Sequence, residues 1–354
     1  MLFLFKKKQV PENAPAFQKR KKFLVIRFSS IGDIVLMTPV FRCLKQQVAG
    51  VEIHFLTKKN FKAVTEANPY IDRFHYYNNN LNELIALFRQ EQFDGIIDLH
   101  KNFRTALIKI QLNIPVYSYN KESWAKFLLT KFGINQMAKR HITDRSLDAI
   151  APLGVVNDGM GLDYFIPVTD HVDAADLPTS HLAGFIAIVI GASYFTKKLP
   201  VKKIQALCIA LDFPVVLIGG KEDVNEGNAI ASINEIKIYN ACGKFSLNES
   251  AYLIRQAKLV ISHDTGFQYI ACAFNKKVLA IWGGTSPLLD VEPYYGLNQL
   301  VAHANAEAYK NFIVPELSCQ PCSNYGTKKC PKGHFNCMQN QDVQAIASVA
   351  KQWV

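Results

Sequence analysis

No run of apolar residues in this chain is long enough to cross a membrane; the longest, around Ala183 to Ala192, falls far short of the ~20 residues a spanning helix needs. Two common nucleotide signatures are also missing. There is no Gly-x-x-x-x-Gly-Lys-Ser/Thr loop and no Gly-x-Gly-x-x-Gly turn after the first strand, which argues against a P-loop NTPase and a dinucleotide-dependent dehydrogenase. No internal repeat or low-complexity tract is present. Acidic residues are in short supply, 29 against 40 Lys plus Arg, and the resulting +11 favours anionic partners: phosphates, nucleic acid or a membrane surface. The basic residues are not regularly interleaved with aromatics, which argues against a nucleic-acid surface. A secretory order of charges followed by a long apolar core is absent too, since Met1 to Phe5 precede Lys6, Lys7 and Lys8. The expectation is a cytoplasmic protein. Its basic tail, residues 1–21, is either merely solvated or in peripheral contact with an anionic lipid surface.

What is present starts with size. A chain of 354 residues exceeds a typical single domain, so two domains with two cores are expected. With 49% hydrophobic and 19% charged residues the composition is that of an ordinary globular protein. Phe23 to Phe28 forms a short apolar run, the mark of a buried parallel strand, followed by the turn Ser29-Ser30-Ile31-Gly32-Asp33 and then apolar residues at helical spacing. Ligands of open α/β sheets bind where strands end and helices begin. Asp33 at that junction is either a helix cap or a general base. Asn caps helices about as well as Asp, so Asp33→Asn should leave folding unchanged and remove only the base.

Strand and helix patterns alternate along the chain. Val51–Leu56 and Phe93–Leu99 are strand-like, and Leu81–Gln90, Glu122–Phe132 and Ile142–Ala151 helix-like, which implies a parallel sheet. Lys101 and Arg104, just past the strand ending at Leu99, would hold acidic groups of an acceptor or simply face water. Residues 167–180 are rich in Asp, Thr and Pro without periodicity, a linker signature. Its placement divides the chain into 22–170 and 181–354.

The second unit repeats the alternation, with strands expected at Phe185–Ile190, Pro214–Ile218, Lys258–Ser262 and Val278–Trp282 and a final helix at Asp342–Trp353. Gly266, in Asp264-Thr265-Gly266, would let backbone approach a phosphate at a helix start. Gly283 and Gly284 would likewise suit close passage of a nucleotide. Cys43, Cys208, Cys242 and Cys272 sit singly in apolar surroundings, whereas Cys319, Cys322, Cys330 and Cys337 cluster, with His334 beside them. In a chain without a secretion signal such a cluster suggests a tetrahedral structural zinc site before disulfides.

The stretch from Lys22 to Pro39 resembles the N-terminal motif of the family 9 glycosyltransferases, the bacterial heptosyltransferases of lipopolysaccharide core assembly. Leu259 to Ala273 resembles the family's second motif, a strand followed by Asp-Thr-Gly and a small-residue helix. The resemblance covers most of the chain and implies two facing Rossmann-like domains with parallel sheets, the GT-B architecture, with donor on the C-terminal domain and acceptor on the N-terminal one. It implies inverting transfer of heptose from ADP-heptose to a lipid A/core oligosaccharide acceptor. Asp33 is then the catalytic residue. Ser29, Ser30 and Gly32 form the substrate-binding turn, Lys197, Glu222, Asp264, Thr265 and Gly266 bind the donor, and Lys101 and Arg104 bind the acceptor. No cofactor is implied for catalysis, and no divalent ion is expected at the reaction centre. Two departures stand out: Leu199 replaces the family's usual Trp, and Tyr269 replaces its usual His, which leaves another nucleotide sugar open as donor. Outside catalysis, a basic nucleic-acid or membrane-surface binding protein is the other reading.

Overall fold

The computed structural model describes residues 20–297 and 307–354; the tail with Lys6, Lys7 and Lys8 lies outside the described residues. The N-terminal half carries β1 (Lys22–Ile26), β2 (Glu52–Lys58), β3 (Arg73–Tyr77), β4 (Gly95–Asp98) and β5 (Val116–Ser118). They form one parallel sheet in the order β3-β2-β1-β4-β5. The C-terminal half carries β6 (Ile186–Val189), β7 (Val215–Ile218), β8 (Ile238–Asn240), β9 (Leu259–His263), β10 (Val278–Ile281) and β11 (Tyr309–Phe312). These form a second parallel sheet, β11-β10-β9-β6-β7-β8. No strand crosses residues 167–180, where the chain makes only the short 3-10 turns Ala174–Asp176 and Thr179–His181. The expected α/β class with two Rossmann-like sheets is therefore what the chain adopts.

Strand β1 is central because it is apolar on both faces. Leu24 and Ile26 pack with Leu56, Phe88 and Ile96 on one side, while Phe23 and Val25 face Val35, Phe41 and Phe55 on the other. That second cluster continues into the C-terminal half through Tyr269, Ile270 and Val260, so the two halves share buried apolar surface. The outer face of the second sheet is covered by the helix Val201–Ala210 and by the C-terminal helix Val343–Trp353, whose Ile346, Ala347 and Ala350 are buried.

The halves meet at two short helices that follow strand ends. Helix Ile31–Leu36 follows β1 and packs on helix Gly266–Ala273, which follows β9. Glycine makes the approach possible. A Cβ on Gly266 would lie 2.5 Å from Cγ2 of Ile31, and one on Gly32 would lie 2.9 Å from the ring of Tyr269. Gly266 was expected to give close access to a phosphate; the space its missing side chain leaves is occupied by Ile31. Gly283 and Gly284 are used in the same way, since their Cβ positions are filled by Thr196, Met338 and Cys322 and not by an open nucleotide path.

Candidate active site

Helix Ile31–Leu36 begins three residues earlier than the sequence pattern suggests, with Ser30 as its cap and Asp33 in its first turn. The Asp33 carboxylate accepts from the Ser30 amide at 3.1 Å and from the Ser30 hydroxyl at 2.7 Å. Its other oxygen lies 2.6 Å from Nη2 of Arg27. Arg27 is buried, and its remaining donors reach the carbonyls of Ser29, at 2.9 Å, and Leu99. Burial alone would raise the Asp33 pKa, but the Arg27 guanidinium and the Ser30 hydrogen bonds together outweigh it and hold the carboxyl at about 2. Asp33 is thus ionised and 26% exposed, open to the cleft on one side.

Arg27 escaped the sequence reading because it lies inside an apolar run that otherwise spells a buried strand. Two lysines escaped it as well. Lys121 holds the carbonyls of His100 and Lys101, at 3.3 and 3.1 Å, and half-buried Lys126 has its pKa lowered to about 8, chiefly by burial and the nearby Arg145. The Asp33 charge raises both lysines in turn. Lys101 and Arg104 stand further out. Lys101 is exposed, with its amide on Asp98, and Arg104 stacks 5.4 Å above the Tyr77 ring.

On the C-terminal half, Asp264 follows β9 and is almost fully buried. Lys197 places Nζ 2.7 Å from its carboxylate and 3.0 Å from its carbonyl, and Thr285 donates to the same carboxylate at 2.8 Å. An ammonium carries three donors, so one of those on Lys197 remains for a ligand. The neighbouring Lys198 is turned away into a pair with Asp223 and Glu226, which explains why only the first lysine of the loop faces Asp264. Thr265 occupies the cap position of helix Gly266–Ala273, partly exposed. Glu222 is exposed and curls beside Gly220, while its neighbour Asp223 is buried and accepts from the Gly220 amide at 2.8 Å. Leu199 is buried where an indole is usual, and its amide donates to Nε2 of His263 at 2.9 Å.

Tyr269 donates to the Val291 carbonyl at 2.7 Å and lies 3.4 Å from Asp264. Burial, with the Asp264 and Asp33 charges added, drives its pKa well above 10, so it stays a neutral phenol whose hydroxyl is already engaged. The Asp33 charge is felt also at Tyr325, on the far side of the cleft. Tyr269 therefore lies within reach of the charges of both Asp33 and Asp264, and Tyr325 within reach of that of Asp33.

The geometry is that of a two-sheet enzyme with a carboxylate on one lip and a lysine-carboxylate pair on the other. The profile of glycosyltransferase family 9 (heptosyltransferase) matches residues 82–335. The chain belongs to this family. It is a glycosyltransferase. Lipopolysaccharide heptosyltransferase 2 of Salmonella typhimurium is 30% identical over 306 residues, spanning 75% of this chain and 84% of that protein. A family 9 glycosyltransferase of Veillonella parvula superposes with TM-score 0.66 at 22% identity, covering 82% of this chain and 85% of that one. An E. coli heptosyltransferase solved with ADP gives TM-score 0.63 at 16% identity, covering 94% of this chain and all of that one (100%).

The cysteine cluster lies on residues 319–337, a segment tied to the loop after β10 and to Thr196. The Cys322 amide donates to the Gly284 carbonyl at 3.0 Å, and Thr196 and Thr327 hydrogen-bond reciprocally. The four thiols are free. Burial and the neighbouring Cys322, Cys330 and Cys319 push Cys337 up to about 12, and Cys319 Sγ lies 3.9 Å from Nε2 of His334. Among the described residues no three His, Cys, Asp or Glu side chains are gathered closely enough to hold a metal ion.

Proposed function

We propose that this glycosyltransferase moves heptose from ADP-heptose to a lipopolysaccharide core acceptor with inversion at the anomeric carbon. The observation that carries the reading is the opposition of Asp33 to the Lys197–Asp264 pair across the Gly32–Tyr269 and Ile31–Gly266 contacts. The chain's relatives are heptosyltransferases, and one of them is known with ADP. In this account the donor lies on residues 181–354 and the acceptor on residues 22–170.

The acceptor hydroxyl attacks the anomeric carbon from the face opposite the diphosphate. The new C–O bond forms as the bond to the diphosphate breaks, and the hydroxyl proton passes to Asp33. The nucleoside diphosphate departs with the bonding pair, its charge met by the free donor of Lys197 and by the amide groups that open helix Gly266–Ala273. Tyr269, already bonded to Val291, takes no part in holding the diphosphate. Lys121 and Lys126 provide positive potential on the acceptor side.

Cys319, Cys322, Cys330 and Cys337 are proposed to close on one structural zinc ion, whose binding would displace the thiol protons and draw the four sulfurs closer together than they stand here. No step of transfer runs through it. A thermal-shift panel of nucleotide sugars tests the donor assignment. ADP-heptose should raise the melting midpoint, and a larger rise with another nucleotide sugar would overturn the assignment while leaving the cleft intact.

A further inference from the structure

The helix Ser123–Phe132 is two-faced in an unusual sense. Its inner face is anchored: Leu129 packs on Met137 and on Leu289 of the other half, and Glu122, at its start, pairs with Arg145 at 2.9 Å. Its outer face is apolar and open to water. Trp124 is 67% exposed, Phe127 41% and Phe132 65%. The three rings lie against one another, Trp124 stacked on Phe127 with centroids 5.5 Å apart and Phe127 edge-on to Phe132 at 5.8 Å. Burial against the protein does not explain them, and a contiguous exposed aromatic patch marks an interaction site.

Charge says what kind of surface fits it. Between residues 121 and 140 the only acid is the inward-facing Glu122; Lys131, one turn on from Phe127, and Lys139 are exposed, whereas Lys121 and Lys126 turn inward and Arg140 pairs with Asp148 at 2.6 Å. Aromatic rings on one face flanked by lysines are the chemistry of a helix lying in the interface of an anionic bilayer, the rings at the acyl boundary and the ammonium groups among the headgroups. Lys121 also ties this helix to the segment carrying Phe103, which is 77% exposed.

We infer that helix Ser123–Phe132 docks the protein on an anionic phospholipid surface. Its inner side borders the Asp33 cleft through Lys126, so docking turns the acceptor side of that cleft toward the membrane; this orientation, and only this, rests on transfer to a lipid-borne acceptor. A docked helix also brings the enzyme to its acceptor by diffusion in two dimensions.

Tryptophan gives a direct readout, because Trp282 is fully buried and Trp353 half-buried, leaving Trp124 as the exposed indole. Full-length protein is mixed with vesicles of phosphatidylglycerol and phosphatidylcholine, or of phosphatidylcholine alone, and followed by co-sedimentation and by emission. The expected result is binding to the anionic vesicles with a blue shift that Trp124→Phe removes while binding persists. The combined Trp124→Ser, Phe127→Ser and Phe132→Ser variant should lower vesicle partitioning by about tenfold or more, with its melting midpoint unchanged. Trp124→Ser alone serves if the combined variant melts early, and should lower partitioning several-fold. Replacing Lys6, Lys7 and Lys8 by Ser should leave most of the binding in place. Absence of binding by the wild-type protein, equal binding to neutral vesicles, or undiminished binding by the serine variants would each overturn the inference. Transfer to a detergent-dispersed acceptor, measured alongside, is unaffected by those results, so failure of docking and failure of the transferase reading are told apart.

Discussion

Replacing Asp33 by Asn changes the charge balance of Arg27, and this makes it a more demanding test than a cap substitution. In the native protein the Arg27 guanidinium is almost sealed from water, and Asp33 is its anionic partner; its other contacts are the neutral carbonyls of Ser29 and Leu99 and the Tyr119 phenol. The Asp33 carboxyl falls from 3.8 to about 2 on folding. That difference corresponds to about 2 kcal/mol of stability at neutral pH. Because the folded value lies below the unfolded one, this contribution is complete above about pH 4 and is lost as pH falls through about 2. Asn cannot supply it at any pH. Asp33→Asn should therefore lower unfolding stability by about 2 kcal/mol in urea titration, toward the lower end for a buried pair because Asp33 is partly exposed. Turnover should fall ~10²–10⁴-fold, the range of general-base assistance. A second variant separates the two effects. Arg27→Met leaves the carboxylate but removes the cation, so burial raises its pKa and an acidic limb should move up the kcat/KM profile toward neutral pH. Full stability and full turnover in Asp33→Asn would refute the pair and the base together. Lost stability with full turnover would make Asp33 purely structural.

Lys197→Ala should weaken nucleotide-sugar binding by about tenfold or more in calorimetry, because it removes a charged donor and leaves buried Asp264 with only neutral partners, Thr285 at 2.8 Å and the Tyr269 hydroxyl at 3.4 Å. Gly266→Ala should destabilise by ~1–3 kcal/mol by driving a methyl into Ile31, and Ile31→Ala in the same chain should recover much of the loss, a coupling that urea titration of both single variants and the double one measures. Metal analysis of protein purified without chelator should return about one zinc per chain held by Cys319, Cys322, Cys330 and Cys337. Four titratable thiols with no metal would contradict it.

Much of the architecture was legible because central parallel strands are buried on both faces and therefore spell continuous apolar runs. The strands around Val25, Ile97, Ile188, Val216, Ile261 and Leu279 announce themselves in this way. The strands that did not are β3, β5, β8 and β11, with sequences such as RFHYY and YKNF, and all four lie at sheet edges where half-exposed residues need no apolar run. At the candidate site the turns carrying Asp33 and Asp264 can be read from local sequence, and Lys197 stands out from Lys198 through the family resemblance alone, the fold pairing the first with Asp264 and the second with Asp223. Arg27, which pairs across the turn, was hidden because its apolar neighbours mask it. The glycines misled for a similar reason. Gly266, Gly283 and Gly284 permit close approach as expected, but what approaches is another part of the chain.

The most direct test of the account is transfer itself, with radiolabelled ADP-heptose, ADP-glucose and UDP-sugars each offered to the purified full-length protein together with a lipopolysaccharide core acceptor lacking heptose. Label is expected in the acceptor from ADP-heptose alone, with the anomeric configuration of the product opposite to that of the donor. Transfer from another nucleotide sugar in preference to ADP-heptose, or a product that retains the donor's configuration, would contradict it.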